Sequence, residues 1–157
     1  PQEIENTEFH GTDLTKEMLD IAAASGNYTS LSKASMEERW PVDAGDHFDL
    51  VLCNGVMIYV KPSAFVVSEY IRVTKPGGKC VIMIREDNIG DWQGHLNAAE
   101  EAGSWRLVDR SEPMDNFPGG KEEILYRIYV FEVLERTMAA RDEPDVAKLE
   151  LGIPNAF

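Results

Sequence analysis

The sequence is poor in the features that mark membrane and nucleic-acid-binding proteins. Its 157 residues contain no run of about 18 apolar residues, the length of a membrane-spanning helix. The first residues also lack the basic-then-apolar pattern of a signal peptide. Only 15 Lys and Arg stand against 28 Asp and Glu, and the resulting formal charge of −13 repels phosphate backbones and anionic lipids. We therefore expect a soluble chain whose partners are neither nucleic acid nor membrane.

Cysteine, histidine and closely spaced glycines are scarce as well. Cys53 and Cys80 fall within apolar runs, where a reduced thiol packs as a small hydrophobe, and this favours a cytoplasmic setting. His10, His47 and His95 are too scattered to suggest a zinc cluster, so we expect no metal site. Nowhere are two glycines separated by a single residue, the spacing of the glycine-rich turn in dinucleotide-binding folds.

What the chain does contain is an α/β pattern. The apolar run 48–53 precedes a helical stretch that starts near Pro62, and Pro76-Gly77-Gly78 separates this helix from a second apolar run, 80–84. The helix should pack through Ala64, Val67, Tyr70, Ile71 and Thr74. Because ligands bind beyond the carboxyl ends of parallel strands, Asn54 and the residues after Ile84 should line a site.

The remaining segments extend this pattern in both directions. A short strand ends at Asp13, and Thr15 is the predicted N-cap of a helix that packs through Leu14, Met18, Ile21 and Ala22. Further predicted elements are a short strand near the sheet edge over 28–33, an exposed connection over 38–47 and a helix over 89–102. An antiparallel strand pair over 105–111 and 124–134 is predicted at the sheet edge. We expect one domain, residues 1–134, followed by a charged C-terminal tail, residues 135–157.

Three of these stretches together resemble a known family. They are Gly11-Thr12-Asp13-Leu14-Thr15 with Met18-Leu19, then Phe48-Asp49-Leu50-Val51, then Lys75-Pro76-Gly77-Gly78. Their order and spacing resemble class I S-adenosylmethionine-dependent methyltransferases, and are most similar to the methyltransferase-like family named for the Williams–Beuren syndrome chromosomal region. The resemblance spans roughly residues 9–108. It implies a Rossmann-like, three-layer α/β/α fold with a mostly parallel sheet and a reversed last strand, and S-adenosyl-L-methionine as the cofactor.

The resemblance also implies roles for individual residues in binding that cofactor. Asp13 would accept hydrogen bonds from both ribose hydroxyls, since a carboxylate offers two acceptor oxygens, and Leu14 would pack on the adenine. Ser35 stands where many relatives carry Asp near the adenine amino group, and Met36 would offer its backbone N–H to the ring. Asn54 and Gly55 would lie beside the methionine part and the methyl group. Asp13 and Asn54-Gly55 could each instead be ordinary turn residues.

The acceptor and the catalytic residue are less well defined by the sequence. Tyr59, Arg85, Trp92 and His95 follow the predicted strands and are our candidates for contacting a small-molecule acceptor; a solvated charged loop is the alternative. The Asn-Pro-Pro-Tyr type of sequence is absent, which disfavours methylation of nucleic-acid bases or of protein glutamine. No residue is assigned as a catalytic acid or base.

One departure from the family pattern bears on function. The glycine-rich turn and the strand before it are not found, so we expect the fold to be truncated at its N-terminus and two strand edges to be left open. Two further hypotheses follow beside methyl transfer. The chain could be a non-catalytic module that forms a homodimer or binds a partner through these edges, or half of a nicotinamide-dependent oxidoreductase.

Overall fold

We describe the chain from a computed structural model. The structure describes residues 7–42, 48–116, 118–120 and 124–134, so part of the predicted connection, residues 43–47, and the tail 135–157 lie outside the described residues. The chain forms two compact units, Pro1–Pro41 and Val42–Phe157. Each unit is described by itself below.

The first unit is a βαβ arrangement. Strand β1 (His10–Asp13) pairs in parallel with β2 (Ser30–Lys33), and helix α1 (Lys16–Ser25) connects them. Gly11 allows the close approach between the two, because a Cβ atom there would lie 2.8 Å from Leu31 Cδ2. The register runs to Asp13 opposite Lys33, so both strands deliver the residues that follow them to one rim.

Helix α1 has the predicted ends but not the predicted burial. It follows Thr15 and ends at Gly26, whose φ of 69° is left-handed. However, the apolar residues Leu14, Met18 and Ile21 are each more than half exposed, and α1 contains no buried residue. Two strands of four residues offer too little apolar surface to cover a helical face.

The second unit is built on a mixed sheet. Its strands are β3 (Phe48–Cys53), β4 (Thr74–Arg85), β5 (Trp105–Arg110), β6 (Met114–Asp115) and β7 (Leu125–Val133). The order is β3-β4-β7-β5, with β6 also paired to β7; β3 and β4 are parallel, whereas β7 is antiparallel to β4, β5 and β6. The predicted antiparallel pair and the reversed last strand are therefore confirmed. The pair also lies at the edge of the sheet, as predicted, with β5 as the edge strand and β7 as its inner neighbour.

Helix α2 (Ala64–Val73) is buried almost all round, including the whole predicted packing face. Ser63 caps its start, accepting a hydrogen bond from the Val66 N–H at 3.4 Å. The helix ends at Val73, before the glycines predicted to end it, because Pro76 disfavours the helical conformation at Lys75. Pro76-Gly77-Gly78 instead belongs to the start of β4, beside the register shift between Phe48 and Leu50.

Helix α3 (Ile89–Glu101) agrees closely with its prediction. Trp92, Leu96 and Ala99 are buried, and Gly103 follows the helix with a φ of 69°. Trp105 joins α3 to the sheet, since its indole N–H donates to the Leu96 carbonyl at 3.2 Å and its ring stacks on Phe131 with centroids 4.1 Å apart. Among the described residues, no helix is long and apolar enough to cross a membrane.

Candidate functional site

The first rim lies where β1 and β2 end. Because these strands are parallel and in register, Asp13 and Leu14 leave β1 on the same side as Ser35 and Met36 leave β2. The Ala34 N–H donates to the Asp13 carbonyl at 3.1 Å, which ties the two strand ends together. All four residues predicted to contact the adenosine part of the cofactor thus belong to one rim of the first unit.

Asp13 supplies an ionised carboxylate at this rim. Its Oδ1 accepts from the Thr15 backbone N–H at 2.7 Å and from the Thr15 hydroxyl at 2.8 Å. These bonds hold the pKa of Asp13 below its ordinary value, because they favour the charged form. Thr15 occupies the N-cap position as predicted, but its hydroxyl turns to Asp13 and does not cap the helix. The turn role of Asp13 is therefore real, and Oδ2 offers further acceptor positions.

Three other residues complete the first rim. Leu14, the residue that follows Asp13, has an exposed apolar side chain. The Ser35 hydroxyl accepts from the Glu37 N–H at 3.1 Å, so it stabilises a local turn. Met36 is half-buried. An apolar side chain next to an acceptor-only group can accommodate a flat ring that is joined to a diol.

The second rim lies at the carboxyl ends of β3 and β4. Asn54 is exposed and leads into Gly55, whose φ of 73° is left-handed and favours glycine. A Cβ atom at Gly55 would lie 3.8 Å from Met83 Cε. A 3-10 turn, Met57–Tyr59, follows and leaves Tyr59 82% exposed while Met57 is buried. The structure thus brings Asn54, Gly55 and Tyr59 to one rim of the second unit.

Charged pairs follow β4 on this second rim. Arg85 Nε donates to Asp87 Oδ1 at 2.6 Å, and Arg127 Nε donates to Glu86 Oε1 at 2.7 Å. These bonds lower the pKa of both carboxyl groups and raise the pKa of both guanidinium groups. Arg127 was missed by the sequence interpretation, because only the antiparallel register that sets it opposite Ile84 brings it here.

The two α3 candidates differ from Tyr59 and Arg85. Trp92 is 1% exposed, so it belongs to the core and has no surface for an acceptor, which corrects its assignment. Its spacing to Leu96 and Ala99 already indicated a packing role. His95 is half-buried, and its Nδ1 is a buried atom without a hydrogen-bond partner in the described part of the chain. Burial lowers the pKa of His95, which favours the neutral ring.

The two cysteines lie in the core, as the sequence predicts. Cys53 and Cys80 are both buried on the face of the sheet that contacts Tyr70 of α2. Burial raises the pKa of Cys53 and raises the pKa of Cys80 to about 11. Because the reactive form of a thiol is the thiolate, neither cysteine is suited to act as a nucleophile.

Known proteins share this architecture. A chain of the Haloferax volcanii complex between the Trm112 methyltransferase activator and a methyltransferase is similar with a TM-score of 0.62 and 18% identity, over 83% of this chain and 73% of that one. The YcgJ protein of Bacillus subtilis has a TM-score of 0.60 and 15% identity, with 83% of each chain covered. A TehB-like S-adenosylmethionine-dependent methyltransferase of Corynebacterium glutamicum has a TM-score of 0.61 and 20% identity, over 80% of this chain and 68% of that one. At these identities the likeness shows the fold.

The sequence itself shows the family. No curated protein matches the chain. A family model described as a methyltransferase domain matches residues 3–82, just over half of the chain. The match includes strands β1, β2 and β3 and helices α1 and α2. The match does not test the more specific resemblance to the Williams–Beuren family, which stays a prediction. The chain belongs to the methyltransferase-domain family, the class I enzymes that use S-adenosylmethionine as their cofactor.

Proposed function

We propose that this chain takes part in methyl transfer from S-adenosylmethionine to a small-molecule acceptor. In this proposal Asp13, Leu14, Ser35 and Met36 bind the adenosine part, and Asn54 and Gly55 bind the methionine part. The observation that carries the proposal is the ionised Asp13 carboxylate at the carboxyl ends of two paired parallel strands.

The residues of the first rim fit adenosine in their chemistry. The Asp13 carboxylate offers acceptors to a pair of vicinal hydroxyls, and the exposed Leu14 offers apolar contact to a flat base. The Ser35 hydroxyl is a weaker partner for an amino group than Asp, because it also accepts from the Glu37 N–H. At the second rim, Gly55 combines a left-handed turn with an absent side chain, so the backbone can approach a ligand closely.

The chemistry requires little from the protein beyond binding and orientation. When bound, the cofactor supplies an electrophilic methyl group on its sulfonium sulfur, and a nucleophilic O, N or S atom of the acceptor takes it in line. The chain's own residues would contribute proximity, orientation and exclusion of water. We propose that Tyr59, Arg85 and His95 contact the acceptor. The raised thiol pKa values argue against a covalent route through Cys53 or Cys80.

Calorimetry with S-adenosylmethionine tests the proposal. Asp13→Ala should weaken binding by at least about tenfold, since hydrogen bonds to a charged group contribute about 1.5–3 kcal/mol. Because Asp13 also holds the start of α1, Thr15→Val is the matched control: it removes one bond to Oδ1 but keeps the carboxylate. Equal affinity of wild type and Asp13→Ala would remove the ribose assignment, and circular dichroism would show that both variants are folded.

A second candidate function is that of a non-catalytic module that forms a homodimer. It is favoured by the exposed Leu50 and Leu52 on β3, which in the described residues pairs with β4 alone. Gel filtration together with the calorimetry separates the candidates. A monomer that binds the cofactor supports methyl transfer, and a dimer that does not bind supports the second function.

A further inference from the structure

Tyr70 of α2 contacts, from the core, both ends of the turn that carries Asn54 and Gly55. Its side chain is 1% exposed, and its hydroxyl donates to Met57 Sδ at 3.8 Å. The same side chain is hydrogen-bonded to the Cys53 thiol. Cys53 ends β3 and Met57 begins the 3-10 turn, so these two residues flank Asn54 and Gly55. One buried phenol therefore holds both ends of the turn.

The chemistry of the three groups fits this arrangement. A hydroxyl both donates and accepts, so the Tyr70 oxygen can accept from the Cys53 thiol while it donates to the Met57 sulfur. Burial raises the pKa of Tyr70 and that of Cys53, and both groups therefore keep the protons that these bonds need. Cys53 also interacts with the Val56 backbone, and the Tyr59 N–H donates to the Val56 carbonyl at 2.9 Å. The turn is thus held by contacts along its whole length.

Tyr70 is itself held in place by the core. Its carbonyl, one of the last four in α2, accepts from the Thr74 hydroxyl at 2.7 Å. Cys80 Sγ lies 3.7 Å from the same carbonyl oxygen. Nine of the ten residues of α2 are buried, so the helix cannot shift without disturbing its close packing. Tyr70 therefore gives the turn a rigid support.

We propose that Tyr70 is a positioning residue for the methionine part of the cofactor. Its hydroxyl holds Cys53 and Met57 at the separation that sets the backbone of Asn54 and Gly55 for the ligand. Tyr70 does not touch the ligand, because it is buried. The inference rests on the proposed function, which assigns Asn54 and Gly55 to that part of the cofactor. Packing of α2 alone would be served equally well by phenylalanine, whereas the turn requires the hydroxyl.

Two ligands that differ in their amino-acid part test the proposal. S-adenosylhomocysteine and 5′-methylthioadenosine share the adenosine and the sulfur, but only the first carries the amino and carboxyl groups. By calorimetry, Tyr70→Phe should bind S-adenosylhomocysteine at least about fivefold more weakly than wild type, the factor for a typical hydrogen bond, and 5′-methylthioadenosine equally well. Thr74→Val is the matched control: it removes a buried hydroxyl that bonds the Tyr70 carbonyl, and it should leave the ratio of the two affinities unchanged.

A double-mutant cycle tests the bond itself and needs only S-adenosylhomocysteine. Met57→Leu removes the sulfur acceptor with little change in volume, and it should also weaken binding of this ligand. The double variant should bind no more weakly than Tyr70→Phe alone, because both changes remove the same bond. Additive losses would overturn the proposal. Urea denaturation shows which variants are folded, and if Tyr70→Phe is not, the affinity ratio in Met57→Leu decides.

The outcomes separate this inference from the proposed function. If wild type binds neither ligand, both the inference and the methyl-transfer proposal are overturned. If wild type binds and Tyr70→Phe loses affinity equally for both ligands, or for neither, the positioning role is overturned and methyl transfer stands.

Discussion

At the scale of single residues, the turn role observed for Asp13 is compatible with the ribose-binding role that we propose for it. Its Oδ1 accepts hydrogen bonds from the Thr15 N–H and hydroxyl, and these bonds fix the carboxylate at the end of β1. Such fixing orients Oδ2 and keeps the group ionised, and both effects favour binding a diol. The sequence offered the two roles as alternatives, because spacing alone does not tell which oxygen a neighbour occupies.

At this scale we predict that His95 makes the free energy of unfolding depend on pH. Burial lowers its pKa, so the folded state disfavours the charged ring. Below the ordinary pKa of 6.5 the unfolded chain takes up this proton first, and the free energy of unfolding should therefore fall as the pH decreases through that value. We expect the fall between about pH 7.5 and about pH 5.5 to be smaller in His95→Gln, measured by urea unfolding. Equal falls in both proteins would contradict this account of His95.

The carboxyl groups whose pKa values are lowered change the stability at lower pH than His95 does. The pKa values of Glu86 and Asp87 are lowered from ordinary values of 4.5 and 3.8. Their contribution to stability is present above those values and is lost only as the pH falls through the lower folded-state values. The pH range in which His95 changes the free energy of unfolding therefore lies above the range in which these two carboxyl groups change it.

At the scale of elements, periodicity predicted α3 well and α1 only in part. The spacing of Trp92, Leu96 and Ala99 told which face is apolar, and in α3 that face is covered. The same reasoning applied to Met18 and Ile21, yet these residues are exposed. Periodicity identifies an apolar face but does not say whether another element covers it. Which strand of the edge pair lies next to β4 was likewise beyond local sequence, since the pairing of β7 with β4 joins distant segments.

At the scale of elements, we predict that the buried ion pair between Arg72 and Glu69 in α2 is important for stability. Arg72 donates from Nε and Nη2 to the fully buried Glu69, at 2.7 and 2.6 Å, and from Nη1 to the Val42 carbonyl at 2.8 Å. Arg72→Met leaves the Glu69 carboxylate without this cation, and we expect a loss of about 3–5 kcal/mol in the free energy of unfolding. Urea denaturation measures this loss.

Two companion variants sharpen that test. Arg106→Met breaks an exposed pair with Glu132 and should cost no more than about 1 kcal/mol. Adding Glu69→Leu to Arg72→Met removes the isolated buried charge and should recover much of the stability. A loss of unfolding free energy in Arg72→Met as small as that in Arg106→Met would contradict the deep burial of the Arg72–Glu69 pair.

At the scale of the whole molecule, the sequence predicted which residues share a rim within each unit. Parallel strands end at one edge, so the grouping of Asp13 with Ser35, and of Asn54 with Arg85, followed from the strand pattern. The unequal number of buried residues in the two units could not be predicted from the strand pattern. None of residues 7–41 is buried, whereas Val42–Phe157 contains every buried residue of the described chain.

This division predicts unequal folding of the two units. Residues 42–157 expressed alone should unfold cooperatively in urea, because they retain the core around α2, α3 and the mixed sheet. Residues 1–41 alone should give the circular dichroism of an unfolded chain, since a segment of about 40 residues without a core or a disulfide rarely folds. A cooperative transition in the short fragment, or none in the long one, would contradict the division.

The central claim is that the Asp13 carboxylate recognises the ribose of S-adenosylmethionine. The most direct measurement compares, by calorimetry, S-adenosylmethionine with its 2′-deoxy analogue on wild type and on Asp13→Asn. If the claim is correct, wild type prefers the ribose form by at least about tenfold, and the variant loses most of that preference. The same preference in both proteins, or none in wild type, would contradict it.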